Sequence, residues 1–340
     1  MRASSVLGRL RGFSHGCCPV PAPRTALPPP NRGGLAFAQG RYGLRGNLEL
    51  LLCDEEDGLW VLWFNNDPED TAPEPGGPPP GEWSGALRFG TGRRYDGVQV
   101  VQSAHGPHHL EVLATSGART HRLRWNPETA FTTEEPPPTG RVRSASLTEN
   151  PDGTLWTAVL AEDGSPRLFR ADAGAYPRLA WEPAPLAPAR PSGPGAVLLV
   201  PLPDAPRPGL ALLGASGGSY LAPDGDETAL PAGLVGAAVV RGAVPRLYVW
   251  NEAAERIDVV DLGTPDPYRG LRLPGEGPVT ALAATTLDHD PHRTDLVLRR
   301  GGRLWHVSDT GGDAPGRSVP LLSRLTRTPG DEDRAVHRTS

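Results

Sequence analysis

Short apolar segments recur along this chain in triplets, and the period of that recurrence restricts the fold more than any other feature. Each unit reads as an apolar strand, a polar loop, a second apolar strand, a Gly/Asp turn and a third strand that often carries an aromatic residue. The first unit is Leu35–Ala38, Leu48–Cys53 and Leu59–Phe64, and the last is Val279–Ala284, Asp295–Leu298 and Arg303–Val307. Second strands starting at Leu48, Leu110, Leu155, Leu210, Arg246 and Asp295 lie 62, 45, 55, 36 and 49 residues apart, a mean near 49. Helices need 10–12 residues of 3.6-residue periodicity without Pro or Gly. The chain almost never offers this outside 246–262, which itself reads as two strands flanking Asn251–Glu255. A unit of 40–50 residues holding three or four short strands is the signature of a β-propeller blade, whose radial repetition buries both sheet faces. The expectation is an all-β, six-bladed β-propeller over residues 33–328. The Pro/Glu/Gly segment Asp67–Gly81 would loop outside the sheet of blade 1.

Composition sets the limits. Gly 42 and Pro 40 make up about 24% of the 340 residues, while 38% hydrophobic residues and eight Trp leave enough material for a core. Residues 1–32, rich in Pro, read as a disordered Pro-rich leader or an overlong start, and residues 329–340 as a disordered tail. All 34 basic residues are Arg and the only Ile is Ile257, a bias expected of a GC-rich, actinobacterial type of genome. Without Lys, Schiff-base chemistry and P-loop phosphate binding are excluded. A net charge of −5 argues against a nucleic-acid partner. Cys17, Cys18 and Cys53 cannot form a disulfide framework. No apolar run of 18 residues offers a membrane insertion, and no h-region follows the early arginines, so the expected location is cytoplasmic unless another export route operates.

Specific strings carry a family likeness. Gln39-Gly-Arg-Tyr-Gly43 with Asn47-Leu-Glu-Leu50, then Asp57-Gly-Leu-Trp60, Trp63-Phe-Asn-Asn-Asp67, Trp83-Ser-Gly85 and Arg88-Phe-Gly90, resemble the repeat of bacterial lectin-like β-propellers of the Photorhabdus fucose-lectin type. Gln102-Ser-Ala-His-Gly106 and His109-Leu-Glu-Val-Leu113, ending at Arg124-Trp125, resemble the next copy; the match is clearest over residues 35–126. The resemblance implies a propeller of sugar-binding ancestry with pockets between blades. Blade 4 departs from it, with no Trp and with Gly214-Ala-Ser-Gly-Gly218 in place of an aromatic-flanked turn.

Sugar rings present C–H faces to aromatic side chains and hydroxyls to polar ones. The expected ligand-binding residues are therefore Trp63, Asn65, Asn66, Asp67, Trp83, Gln102, Glu111 and Trp125, near blades 1 to 3. Packing between sheets is the competing role for each Trp, and internal pairing of Glu49 and Glu111 with arginines such as Arg41 or Arg122 competes with ligand binding. Gly214–Gly218 matches G-x-S-x-G, but a strand–turn–strand context makes Ser216 a hairpin residue rather than a nucleophile. Asp288, Asp290, His292 and Asp295 resemble a calcium loop without its Gly, so Ca²⁺, or Zn²⁺ through His, is a minor alternative to a solvated loop and to no cofactor. The main expectation is a non-catalytic, lectin-like module that binds a glycan or a glycosylated protein through inter-blade pockets. A protein-interaction platform with decayed pockets and a metal-assisted enzyme working near the channel are the alternatives.

Overall fold

A computed structural model describes residues 29–69, 78–106, 108–186, 195–202, 204–241, 244–263, 268–312 and 315–321. The expected leader, except its last four residues, and the expected tail lie outside these, as does the middle of the 67–81 loop. The described chain forms six antiparallel four-stranded sheets, each built from four consecutive strands. Blade 1 holds β1 (Asn31–Gln39), β2 (Leu48–Asp54), β3 (Leu59–Phe64) and β4 (Leu87–Phe89); blade 2 holds β5 (Gly97–Gln102), β6 (Leu110–Ser116), β7 (Arg119–Asn126) and β8 (Ala130–Glu134). Blade 3 holds β9 (Val142–Glu149), β10 (Leu155–Ala161), β11 (Pro166–Ala171) and β12 (Trp181–Ala184); blade 4 holds β13 (Gly195–Val200), β14 (Gly209–Gly214), β15 (Gly218–Leu221) and β16 (Glu227–Leu230). Blade 5 holds β17 (Gly236–Arg241), β18 (Val244–Asn251), β19 (Arg256–Asp261) and β20 (Tyr268–Arg272); blade 6 holds β21 (Val279–Leu287), β22 (Asp290–Arg300), β23 (Arg303–Asp309) and β24 (Arg317–Pro320).

The six-bladed propeller expected from the period is the fold observed, with strands added at its margins. Each blade gains a short fourth strand, and β1 begins at Asn31 rather than at 33. A single 3-10 turn, Ala173–Ala175, is the helical content of the described residues. Second strands are buried on both faces because each sheet lies between two others. For that reason β10 and β14 are buried at every position and read as continuous apolar runs instead of alternating ones.

Apolar layers fill the junctions. Leu48, Leu50 and Leu52 face blade 6 with Val297 and Leu304, whereas Leu51 and Cys53 face blade 2 with Val98, Val112 and Leu123. The innermost strands β1, β5, β9, β13, β17 and β21 pack side by side in that order, and β21 returns to β1. Among the described residues no strand is exchanged at the closure. Side chains hold it instead: the Gln39 N–H donates to Thr285 Oγ1 at 3.0 Å, the Asp288 N–H donates to Gln39 Oε1 at 2.8 Å, and Arg299 donates to Asn31 Oδ1 and to the Gly33 carbonyl. Hydroxyls elsewhere cap the inner sheet edges in the same way, since Ser144 and Ser146 accept from the N–H groups of Val197 and Leu199. At the β1 bulge, Gly33 has φ of +62°, and a Cβ there would lie 2.4 Å from the Asp96 carbonyl oxygen. Only glycine fits that position.

Candidate functional site between blades

One register position recurs in the second strands of five blades and faces the following blade. It holds Glu49 in blade 1, Glu111 in blade 2, Trp156 in blade 3, Arg246 in blade 5 and Asp295 in blade 6. Strand alternation sets the direction: Glu49 shares its side with Leu51 and Cys53, Glu111 with Leu113, and Asp295 with Val297. Three of these positions are acidic, and the neighbouring third strand decides the state of each acid.

In blade 2 the third strand supplies Arg122, paired across from Leu113. Its Nε and Nη2 donate to Glu111 at 2.8 and 3.0 Å, and both side chains are buried. Both Arg122 Nη groups also donate to the Pro177 carbonyl at 3.3 Å. The same segment places Tyr176 in a parallel stack on His105, with ring centroids 3.9 Å apart. Blade 3 thus already occupies the polar groups of this junction.

In blade 6 the equivalent third-strand residue is His306, paired across from Val297. Asp295 is fully buried and lies 3.4 Å from His306 Nε2; it accepts from Ser308 Oγ at 2.6 Å and from Arg293 at 3.0 Å. Burial alone would raise its carboxyl, but His306, Arg293 and Ser308 hold it below the usual carboxylate range. His306 in turn sits edge-on to Phe37, Phe64 and Trp83.

Blade 1 differs. The corresponding third-strand residue is Val61, paired across from Leu51, so no basic side chain stands where Arg122 and His306 stand. Among the described residues Glu49 has one hydrogen-bond partner, the Asn47 side-chain amide, and no ion pair. Burial pushes its carboxyl up to about 7, with Asn47 opposing the rise. Directly across the strand pair lies half-buried Trp63, and Trp125 of blade 2 packs against the apolar layer of the same junction. An ionisable acid and an aromatic face therefore share one side of the sheet with no internal partner neutralising the acid.

The expected binding residues are divided among junctions. Trp63 and Trp125 belong to the junction of blades 1 and 2, Glu111 to that of blades 2 and 3, and Trp83 to that of blades 6 and 1, on the opposite face of blade 1 from Trp63. Three polar residues of the set hold loops. The Asn65 amide donates to the Pro78 carbonyl at 3.0 Å, and buried Asp67 accepts from the N–H groups of Leu44 and Glu69. Gln102 donates to the carbonyls of Ser103, Gly106 and His109. Asn66 Nδ2 is shielded without a hydrogen-bond partner. Sequence reasoning named Glu49 only as a residue for internal pairing, although its Leu-Glu-Leu context matches that of Glu111; the signal was present, but the missing cation is visible only once the register is known.

The expected cation loop of blade 6 is mostly strand. β21 and β22 meet at a tight turn at Asp288 and His289, His292 lies within β22, and Asp295 faces blade 1 inside its own network. Among the described residues no three His, Cys, Asp or Glu side chains come together to hold a metal ion. No described helix is long and apolar enough to cross a membrane.

No family model and no curated protein matches the sequence. Solved structures do match the fold. AofleA from Arthrobotrys oligospora is 10% identical with a TM-score of 0.61, over 87% of this chain and 88% of that one. The BP39L lectin from Burkholderia pseudomallei is 11% identical with a TM-score of 0.56, over 85% and 99% of the two chains. The Aleuria aurantia lectin, a six-bladed β-propeller with its own mode of fucose recognition, is 10% identical with a TM-score of 0.55, over 88% and 98%. The chain has the six-bladed propeller fold of these lectins.

Proposed function

We propose that this propeller is a carbohydrate-binding module and that the junction of blades 1 and 2 takes the sugar. The observation that carries the reading is Glu49: of the three acids at the recurring register position, it alone has no basic side chain at the equivalent third-strand position. A carboxylate accepting from sugar hydroxyls, with Trp63 offering a face to the ring, matches the chemistry of a polyol ligand. The lectins that share the fold support the ligand class, and the fucose recognition of the Aleuria aurantia lectin makes fucosides the first ligands to try. The partner would then be a free glycan or a glycosylated protein. In this reading Trp63 and Trp125 line the sugar site, whereas Glu111 and Trp83 belong to neighbouring junctions.

Titration of methyl α-fucoside and a panel of glycans against the wild type, Trp63→Ala and Glu49→Gln tests this. Saturable binding that falls at least tenfold in both variants is expected. Binding equal in all three would remove the assignment to this junction, and no glycan binding at all would shift the weight to a protein-interaction platform.

A further inference from the structure

The propeller axis holds a cavity of about 430 Å³ lined by all six innermost strands. That volume is within the range of small-molecule sites. These strands run in one direction, so their C-terminal ends gather at a single mouth, and the two halves of the channel differ in chemistry. Small aliphatic residues line the body, among them Ala36, Val100, Leu199, Ala237 and Ala283. Ionisable residues line the mouth: Arg41, Glu149 and Asp288.

Gln39, Gln102 and Thr285, also in the lining, are committed to the fold. Gln39 and Gln102 tie down their own loops, and Thr285 caps the Gln39 N–H. Glu149 is different, because its Oε1 accepts from the Ala104 N–H at 2.5 Å while its Oε2 is shielded from solvent and has no hydrogen-bond partner. Burial, with Glu111 adding like charge, pushes the Glu149 carboxyl up to about 7 against the Ala104 N–H, Ser103 and Arg41. Arg41 is exposed, acts on Glu149 electrostatically and forms no ion pair among the described residues. Leaving a carboxylate oxygen unpartnered is costly, so a donor brought by a ligand would be favoured there.

We infer that the axial channel is a ligand site for a small zwitterion of the amino-acid type, with its ammonium on Glu149, its carboxylate on Arg41 and its aliphatic side chain in the body of the channel. This assignment is independent of the sugar site between blades 1 and 2. An acid and a base within electrostatic reach of one another at the mouth match an ammonium and a carboxylate carried together, whereas a simple amine would leave Arg41 opposing it.

Isothermal titration with L-leucine, isoamylamine and 4-methylpentanoate separates the groups, since the second lacks the carboxylate and the third the ammonium. The wild type is expected to bind leucine saturably, with both fragments at least tenfold weaker, and to bind more tightly at pH 8 than at pH 6. Glu149→Gln should weaken leucine at least tenfold. Arg41→Gln, at an exposed position where the fold is not at risk, should erase the preference for leucine over isoamylamine. Glycan titration of both variants should match the wild type, which keeps this test separate from that of the sugar site. Absence of saturable leucine binding, fragments that bind as well as leucine, or variants that bind like the wild type would each overturn the assignment.

Discussion

Glu49 and Glu111 occupy the same place in successive blades and live in opposite electrostatic surroundings. Glu111 is neutralised by a buried, two-pronged Arg122, and removing one partner of such a pair leaves an uncompensated charge in a low-dielectric layer. Arg122→Met is expected to cost about 3–5 kcal/mol in a denaturant melt, and adding Glu111→Leu should recover most of it. A double variant as unstable as the single one would show that the pair contributes more than its own neutralisation. Glu49 behaves in the reverse way. Its folded-state carboxyl titrates near 7, above its ordinary value of 4.5, so the native state holds a proton that the unfolded state has released between those pH values. Stability contributed by the protonated form is present below about 4.5 and is lost as pH rises to about 7. Glu49→Gln should therefore raise the melting temperature at pH 8 and leave it unchanged at pH 4; the same shift at both would refute the titration. Sequence spacing located both acids and offered Arg122 as a partner, which Glu111 takes, but that Glu49 meets Val61 instead depends on a third-strand register the sequence does not state.

At the scale of the element, second strands were legible because burial on both faces leaves continuous apolar runs. Fourth strands were not. β8 and β16 are Ala130–Glu134 and Glu227–Leu230, polar and only partly covered at the rim, with nothing in their composition to separate them from loop. The start of β1 was missed for a related reason, since Asn31 and Arg32 are polar and their pairing with Asp54 and Cys53 crosses a bulge. Asn31 nevertheless helps to fasten blade 6 to blade 1. Its side-chain oxygen accepts from Nε and Nη2 of Arg299, a residue 8% exposed and without an acidic partner among the described residues. Asn31→Ala is expected to cost about 1.5–3 kcal/mol, the scale of a hydrogen bond to a charged group. An unchanged midpoint would show that blade 6 does not rely on this contact.

For the whole molecule, each described sheet is built from consecutive strands, so among the described residues the ring closes through side-chain contacts between blades 6 and 1. The acids and histidines of the β21–β22 hairpin serve that junction or face solvent, so added Ca²⁺ or Zn²⁺ is expected to leave the melting temperature unchanged. A rise that Asp290→Ala abolishes would restore a cation to this hairpin. The repeat period made the six-fold architecture readable, yet the candidate site was readable only as a set of residue types, because adjacency across a junction joins residues about 60 positions apart. The unequal junctions also imply unequal binding. One acid is left without a basic partner, one is locked by Arg122 with the Tyr176–Pro177 segment, and one is buried with His306. The most direct measurement is a crystal structure of the protein with its tightest-binding glycan. Density for a sugar between blades 1 and 2, in contact with Glu49 and Trp63, is expected; a sugar bound instead between blades 2 and 3 or between blades 6 and 1 would contradict the assignment of the site to the unpaired acid.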